Sequence, residues 1–140
     1  MFNLVQIPNK REALVRLLHK QQEKRRRQIL YEYKCEILSV VDGDTLDLDI
    51  DIGFGIHNIT RVRLAHINAP EKSTQEGVVA REALVKKINS LIEAGDTFLC
   101  RTEKDKKEKY GRYLATIVSF KTLESLNNFM LENKYAVKYM

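Results

Sequence analysis

The sequence predicts an α+β fold, a five-stranded Greek-key β-barrel with one helix inserted between strands 3 and 4 and another helix at the C-terminus. Two observations support this prediction. Five short segments alternate apolar and polar residues, which is the pattern of strands that bury one face. A longer segment, residues 76–94, repeats apolar residues every three or four positions, which is the pattern of an amphipathic helix. An extra basic helix precedes the barrel.

The composition of the chain is that of a globular protein. It has 140 residues, of which 44% are hydrophobic and 31% are charged. No apolar run approaches the roughly 20 residues that span a bilayer, and residues 1–11 lack the apolar core of a signal peptide. We therefore expect a cytoplasmic protein, cytosolic or nucleoplasmic, without a membrane partner. Cys35 and Cys100 are isolated in the sequence and are expected to be buried free thiols.

The positive charge of the chain is concentrated near its N-terminus. The net charge is +5, but residues 1–34 alone carry nine Lys or Arg and three Glu. The rest of the chain carries 15 basic and 16 acidic residues. This imbalance suggests a division into an N-terminal basic helical extension, residues 1–32, and a barrel domain, residues 33–140. A basic extension of this kind is suited to contact a polyanion such as nucleic acid.

The N-terminal extension is predicted to form one helix over residues 9–31. Asn9 followed by Glu12 resembles a capping box. Leu14, Leu17 and Leu18 form a short apolar stripe that could dock on the barrel or on a partner protein. The segment that follows is polar on all sides. Its basic cluster, residues 24–27, is either a set of phosphate contacts or a solvated helix face, and the sequence favours neither.

The first three strands are predicted over Tyr33–Val41, Thr45–Ile52 and Ile59–Ile67. A turn at Asp42-Gly43-Asp44 separates the first two strands. In the second strand, aliphatic residues occupy every other position and aspartates lie between them. Short turns join all three strands, and this connectivity predicts an antiparallel meander.

The second half of the chain completes the barrel. The helix at 76–94 ends before Gly95. Strands are predicted at Thr97–Arg101 and Tyr113–Phe120, with a charged loop at 104–109 between them. A last helix is expected over Leu123–Asn133. Five strands with a helix between the third and the fourth match a small Greek-key barrel of the OB type.

One stretch, Arg61–Glu71, concentrates chemically useful residues at the end of the third strand. Pro70 cannot donate a hydrogen bond to a sheet, so the strand should end near Ile67 and lead into a fixed exit loop. His66 continues the alternation of the strand and is expected to be a core or barrel-wall histidine.

Three separated parts of the chain offer the groups that phosphodiester hydrolysis requires. Carboxylates hold hard divalent cations and can deprotonate water, and arginines bind phosphate oxygens in pairs. These groups, together with one amide, come from the first turn, from the third strand with its exit loop, and from the start of the fifth strand. The residues are Asp42, Asp44, Arg63, Asn68, Glu71 and Arg112.

The order of these motifs resembles that of a known family. Residues 41–45 read Val-Asp-Gly-Asp-Thr, Arg63-Leu64 is followed by Pro70-Glu71, and residues 109–112 read Lys-Tyr-Gly-Arg. With this order and spacing, residues 33–139 resemble the thermonucleases, which have staphylococcal nuclease-like domains. The resemblance implies a metal-dependent nuclease that cuts the 5′ P–O bond of DNA or RNA and leaves 3′-phosphates.

The resemblance also implies a metal site. Asp44 would ligate the metal directly, Asn68 occupies the position of a second ligand carboxylate, and Ala69 would lend its backbone carbonyl. The expected cation is calcium, with magnesium or manganese as alternatives. Asn68 departs from the family pattern because its amide removes one negative charge, and ligand charge tunes metal affinity. Weaker metal binding, or a changed metal preference, is therefore expected.

The remaining site residues are assigned by the same resemblance. Arg63 and Arg112 would bind the scissile phosphate and its developing charge, and Glu71 would orient or activate the attacking water. Lys109 and Tyr110 would contact a terminal phosphate of the nucleotide. Two alternatives to an active nuclease stay open: a catalytically silent nucleic-acid-binding module, and an assembly protein that binds its partner through the N-terminal helix.

Overall fold

The computed structural model of the chain describes residues 10–28, 31–107 and 111–139, and the side chains of 24–28 and 104–107 lie outside this description. The chain divides into two compact units, Met1–Leu30 and Tyr31–Met140. The first unit contains helix α1 (Lys10–Gln28). Among the described helices, none is both long enough and apolar enough to cross a lipid bilayer.

The second unit is a closed five-stranded barrel with two helices and a small additional sheet. In chain order its elements are β1 (Glu32–Asp42), β2 (Thr45–Asp51), β3 (His57–Leu64), β4 (Ile67–Asn68), α2 (Gln75–Glu93), β5 (Phe98–Lys107), β6 (Tyr113–Ser119), α3 (Leu126–Glu132) and β7 (Val137–Lys138). The barrel order is β1-β2-β3-β6-β5. Strands β1 and β5 close it in antiparallel fashion, and β3 pairs with β6 in parallel. The predicted OB-like barrel with its inserted helix is confirmed.

The core of the barrel follows the alternation seen in the sequence. Leu46, Leu48 and Ile50 of β2 are buried, whereas the aspartates between them lie on the outer face. Helix α2 adds Ala80, Leu84 and Ile88 to the same core, at helical spacing along its buried face. Burying these aliphatic side chains contributes on the order of 1.5–3 kcal/mol each, so the barrel provides a rigid support for the residues at its edges.

The prediction for the end of the third strand was wrong. Strand β3 ends at Leu64, and the chain turns at Ala65 and His66 before the short strand β4. His66 has a left-handed backbone with φ of 65°, which breaks the alternation that placed its side chain inward. The side chain is exposed, and its Nε2 lies 2.6 Å from a carboxylate oxygen of Glu103. His66 is therefore a surface residue.

Two other predicted boundaries also shifted. Strand β5 continues to Lys107, so residues 104–107 are strand rather than loop. Helix α3 begins at Leu126, because Leu123 adopts a left-handed φ of 61° and Ser125 caps the helix by accepting a hydrogen bond from the Asn128 N–H. The expectation of free buried thiols is confirmed for Cys35 and Cys100. Burial raises the pKa of each thiol to about 12, so neither is a ready nucleophile.

Candidate functional site

The turn between β1 and β2 is held close to the chain that leaves β3. Gly43 permits this approach, because a Cβ atom there would lie 2.8 Å from the Cβ of Ala69 and 3.0 Å from that of Ala80. The Leu64 N–H donates a 2.7 Å hydrogen bond to the carbonyl of Asp44. Two segments that are far apart in sequence, the turn and the exit loop, are thereby fixed against each other.

Asp44 lies at the centre of this junction, and its carboxylate is buried. Its Oδ2 accepts a 2.9 Å hydrogen bond from the Ala69 N–H and lies 3.4 Å from Nη2 of Arg63. Its Oδ1 accepts a 3.0 Å hydrogen bond from the Thr45 hydroxyl. Both carboxylate oxygens are therefore oriented by the protein itself.

The two carboxyl groups of the turn differ in acidity. Burial raises the pKa of Asp44, and its contact with the Asp42 carboxyl raises it further. Burial alone would also raise the pKa of Asp42, but hydrogen bonds from Asp44 outweigh it and lower that pKa overall. The pKa values of the two neighbouring carboxyl groups are therefore shifted in opposite directions, upward for the more buried Asp44 and downward for Asp42.

Arg63 connects the turn to the exit loop. Its Nη2 donates a 2.8 Å hydrogen bond to Oδ1 of Asn68 in addition to the contact with Asp44. The Tyr139 ring lies against the guanidinium, with its centroid 5.1 Å from Cζ. The Arg63 side chain is only 11% exposed, so its position is well defined.

A small sheet that sequence periodicity did not predict holds Tyr139 in place. Strands β4 and β7 pair through Ile67 with Lys138 and through Asn68 with Val137. The Tyr139 N–H then donates a 2.9 Å hydrogen bond to the carbonyl of His66. Two-residue strands are too short to produce a periodic signal in the sequence.

Arg112 joins the same network through a threonine. Its Nη1 donates a 3.3 Å hydrogen bond to Oγ1 of Thr45, the hydroxyl that also bonds to Asp44. Thr45 belongs to the Val-Asp-Gly-Asp-Thr motif at residues 41–45, but the sequence alone gave it no role in the site. The side chains of Asp44, Arg63, Asn68 and Arg112 thus belong to one continuous hydrogen-bonded group.

Glu71 is exposed to solvent, and it is held in place through its backbone. Its carbonyl accepts hydrogen bonds from the Thr74 N–H at 3.0 Å and from the Thr74 hydroxyl at 2.7 Å. Gly77, in the first turn of α2, lies so close that a Cβ there would sit 1.7 Å from the Glu71 carbonyl oxygen. Within the described ranges, no side-chain hydrogen bond connects Glu71 to the Asp44 group. Lys109 and Tyr110 lie outside the described residues, as do the side chains of the basic cluster 24–27.

The oxygens at this junction can be tested against a metal ion. Among the described residues, no three His, Cys, Asp or Glu side chains converge as a metal-binding group. A cation here would instead use the Asp44 carboxylate, the Asn68 amide oxygen and the Ala69 carbonyl. These are the oxygen donors that hard cations such as calcium prefer, so the donor chemistry fits. Arg63 bonds to two of these three residues, so a cation and the guanidinium would compete for them.

Comparisons with known proteins identify the family that the barrel resembles. The family model described as "Staphylococcal nuclease homologue" matches residues 61–140, a segment that includes Arg63, Glu71 and Arg112 but begins after the Asp42–Asp44 turn. A curated relative, "Protein ParB" of Escherichia coli, is 36% identical over 88 residues, or 61% of this chain. The chain spans only 42% of the length of that relative.

Proposed function

The chain belongs to the family of staphylococcal nuclease homologues, and from this membership and the site geometry we propose that it is a metal-dependent nuclease acting on phosphodiester bonds of DNA or RNA. The observation that carries the proposal is the network of Asp44, Arg63 and Asn68, to which Arg112 is connected through Thr45. It places two guanidinium groups next to oxygen donors of the type that hold hard cations.

The two arginines supply the binding site for the scissile phosphate. A guanidinium can donate two parallel hydrogen bonds to phosphate oxygens, and these bonds strengthen as negative charge accumulates during attack. Arg63 can exchange its 3.4 Å contact with Asp44 for a phosphate oxygen without losing its position, because Asn68 and the Tyr139 ring hold it from other sides.

Glu71 is suited to accept a proton from the attacking water. Its backbone is fixed just before α2 by hydrogen bonds from Thr74, and the residue is exposed to solvent. As the carboxylate takes the proton, the water oxygen bonds to phosphorus and the bond from phosphorus to the 5′ oxygen breaks. The leaving oxygen then takes up a proton, which gives a 5′-hydroxyl and a 3′-phosphate.

Asp44, Asn68 and the Ala69 carbonyl are the groups that would hold the cation, with calcium as the first candidate and magnesium or manganese as alternatives. When bound, such a cation supplies positive charge that offsets the charge developing on the phosphate. Because the Asn68 amide is neutral where a carboxylate would carry a negative charge, weaker binding of the cation is expected. Cleavage of an end-labelled DNA strand, with identification of the product ends, tests the proposal.

One observation favours a second candidate, a nucleic-acid-binding module without catalysis. The Asn68 oxygen, the group that stands where a second carboxylate is expected, already accepts a short hydrogen bond from Arg63. In that role the arginines would bind phosphate without a cation. Salt-sensitive binding of single-stranded DNA, combined with no cleavage in any divalent metal, would support this candidate over the first.

The N-terminal helix supports a separate proposal of a protein partner. Leu14, Leu17 and Leu18 lie at helical spacing in α1 and are 47–55% exposed, and the neighbouring Val15 is 42% exposed. An apolar stripe of this kind suits contact with a complementary groove on another protein. Replacing Leu14 and Leu17 with serine should abolish capture of that partner and leave cleavage unchanged, whereas unchanged capture would contradict the proposal.

A further inference from the structure

The turn between β2 and β3 carries a group of exposed apolar side chains. Residues 52–56, here called the β2–β3 tip, read Ile-Gly-Phe-Gly-Ile, and Phe54 at their centre is fully exposed. Ile52 and Ile56 on either side of it are 44% and 53% exposed, and Ile59 of β3 is 70% exposed. Single exposed apolar residues are ordinary, whereas several that lie together are typical of an interaction surface.

Hydrogen bonds hold the β2–β3 tip in a defined conformation. The Ile52 N–H donates to the Ile56 carbonyl at 3.0 Å, and the Ile56 N–H donates to the Gly53 carbonyl at 2.9 Å. Phe54 lies between two glycines and adopts a left-handed φ of 57°, which is unfavourable for a bulky side chain. Its fully exposed ring buries no surface against the barrel, so the stability of the core does not explain it. The ring is available to a partner.

The outer face of the same hairpin is acidic. Asp51 pairs with His57 and Asp49 pairs with Ile59 across β2 and β3, and Glu36 of β1 pairs with Asp49. Because residues paired across strands point to the same side of a sheet, these side chains share one face. The register places four carboxylates and two basic groups on this face of β1–β3: Lys34, Glu36, Asp47, Asp49, Asp51 and Arg61. The face is therefore net negative.

A cavity of about 250 Å³ is lined by several of these acidic residues. Glu36, Asp49 and Asp51 contribute carboxylates, and Lys34 is the lysine among the described residues of the lining. His57 lies in the same lining, and its pKa is raised by a 2.8 Å hydrogen bond to Asp49 and by the charges of Asp49, Asp51 and Glu36. The carboxylates thus favour a positive charge here, and the cavity is large enough for one lysine or arginine side chain.

The β2–β3 tip lies at the far end of its strands from the phosphate site. Thr45 pairs with Arg63 at one end of β2 and β3, and Asp51 pairs with His57 at the other. At roughly 3.3 Å per residue, the strand rises about 20 Å between these two pairs. A partner at the tip would therefore leave the site open to substrate. The negative face repels nucleic acid and anionic lipid headgroups, and it opposes contact with the same face of a second copy.

We propose that the β2–β3 tip and the acidic face beside it bind a basic amphipathic helix of a partner protein. Apolar side chains of that helix would cover Phe54, Ile56 and Ile59, and one of its lysines or arginines would enter the cavity between Glu36 and Asp49. An amphipathic helix presents apolar and basic groups side by side at a spacing of three or four residues, which suits this surface. The inference does not depend on nuclease activity.

The test measures binding of short synthetic helices by the whole chain. One fluorescein-labelled peptide has leucines along one face and lysines on the others, a second has glutamates in place of the lysines, and a third has serines in place of the leucines. Fluorescence anisotropy should show that the wild type binds the leucine–lysine peptide about tenfold or more tightly than either of the other two. Added salt should weaken this binding. Equal affinity for the lysine and glutamate peptides would overturn the inference.

Variants of the apolar residues locate the binding at the β2–β3 tip. The double substitution Phe54→Ser and Ile56→Ser should weaken binding of the leucine–lysine peptide about tenfold or more, because it removes the exposed apolar surface. Phe120→Ser is the matched control, since Phe120 is another exposed aromatic residue, just beyond the end of β6. Full affinity in the double variant would contradict the proposal.

Variants of the acidic residues test the charge. Asp49→Asn with Asp51→Asn keeps the acceptor oxygens and removes two negative charges, so it should weaken binding about three- to tenfold. Glu82→Gln with Glu93→Gln makes the same change in net charge at exposed positions of α2 and should have little effect. An equal loss in both double variants would show that net charge alone attracts the peptide, which would contradict a site at the acidic face.

Measurements on the unaltered chain keep the inference falsifiable if a variant does not fold. NMR should show the Phe54 ring and the Ile56 methyl groups shifting when the leucine–lysine peptide is added, whereas the Phe120 ring should not shift. Unmoved Phe54 signals in the presence of bound peptide would exclude the site.

Two other occupants of the tip would each overturn the proposal. Sedimentation equilibrium of the wild type alone would reveal a dimer, and a dimer that Phe54→Ser with Ile56→Ser abolishes would assign the tip to a second copy. Vesicles of phosphatidylcholine and phosphatidylserine would reveal lipid binding, and retention on them that the same variant abolishes would assign the tip to a membrane surface. We expect neither result, because the acidic face opposes both contacts.

Discussion

Arg63 donates a 2.8 Å hydrogen bond to the side-chain oxygen of Asn68, five residues further along the chain. The strand that carries Arg63 ends at Leu64, and the turn at Ala65 and His66 brings Asn68 back toward it. Arg63, which is proposed to bind the phosphate, is thus held in place by Asn68, which is proposed to bind the metal.

Arg112→Ala should reduce cleavage by about a hundredfold or more, because it removes a donor to the charge that develops on phosphate. Initial rates on single-stranded DNA at saturating calcium measure the effect. Arg61→Ala is the matched control. Arg61 lies two residues before Arg63 on β3, but its guanidinium pairs with Asp47 on the outer face. A comparable loss of activity in both variants would contradict the specific role of Arg112.

Tyr139→Ala should lower kcat/KM about two- to fivefold, because the cation–π contact of its half-exposed ring with Arg63 stabilises by roughly 0.5–1 kcal/mol. Tyr139→Phe should restore the activity, since the ring and not the hydroxyl contacts the guanidinium. Steady-state kinetics of the two variants separate these cases. If Tyr139→Phe lowers kcat/KM as much as Tyr139→Ala does, Tyr139 acts through its hydroxyl. Its role in positioning Arg63 through the ring is then excluded.

Gly77→Ala should destabilise the protein by about 1–3 kcal/mol, because the added methyl group would overlap the carbonyl oxygen of Glu71. Denaturation by urea gives the free energy of unfolding. Val78→Ala serves as the control, since Val78 is the next residue of α2 and its side chain is 43% exposed. Because the clash lies at Glu71, the remaining folded fraction of Gly77→Ala should also cleave more slowly. Wild-type stability in this variant would show that Gly77 is not required for the close approach.

The free energy of unfolding should depend on pH through the carboxyl group of Asp96. Burial alone would raise the pKa of Asp96, but hydrogen bonds from the Ser119 hydroxyl and from the N–H groups of Lys121 and Thr97 lower it overall. The folded-state pKa is then below the unfolded value, so this stabilisation is present above about pH 3.8 and is lost as the pH falls through the folded-state pKa.

The measurement for Asp96 is urea unfolding of the wild type and Asp96→Asn from neutral pH downward. The wild type should be the more stable at neutral pH, and the difference should shrink in acid. Glu93→Gln, a change at the exposed end of α2, is the control and should show no such convergence. A difference between wild type and Asp96→Asn that stays constant with pH would contradict the lowered pKa.

Much of the fold follows from local sequence patterns, because the patterns have a direct physical cause. The strict alternation around Leu46 and Leu48 predicts a strand with one buried face, and the structure confirms it. The pattern failed at His66, where a left-handed residue reversed the direction of the side chain. A hydrophobic pattern shows which residues are apolar. It does not show that one residue has a left-handed backbone that turns the chain.

The site was predictable in its parts more than in its connections. The sequence singled out Asp44, Arg63 and Arg112 as residue types suited to phosphodiester chemistry, and the structure joins them in one network. Neither Thr45, which bridges two of them, nor the support of Arg63 by Tyr139 could be derived from spacing. The contact of Tyr139 with Arg63 depends on the pairing of β4 with β7, which brings together residues about 70 positions apart.

Asn68→Asp should strengthen the metal site, since it restores a second carboxylate among the oxygen donors. The calcium concentration for half-maximal cleavage should fall about tenfold, equivalent to roughly 1.4 kcal/mol of binding free energy. Asn68→Ala is the control, and it should require more calcium than the wild type because it removes an oxygen donor.

Cleavage of end-labelled single-stranded DNA by the wild type and by Asn68→Asp, in calcium, magnesium and manganese separately, tests the nuclease proposal most directly. The account predicts that the wild type cuts in calcium and leaves 3′-phosphates, and that Asn68→Asp cuts at lower calcium concentrations. A wild type that cuts in none of the three metals would contradict the account, whether or not Asn68→Asp is active.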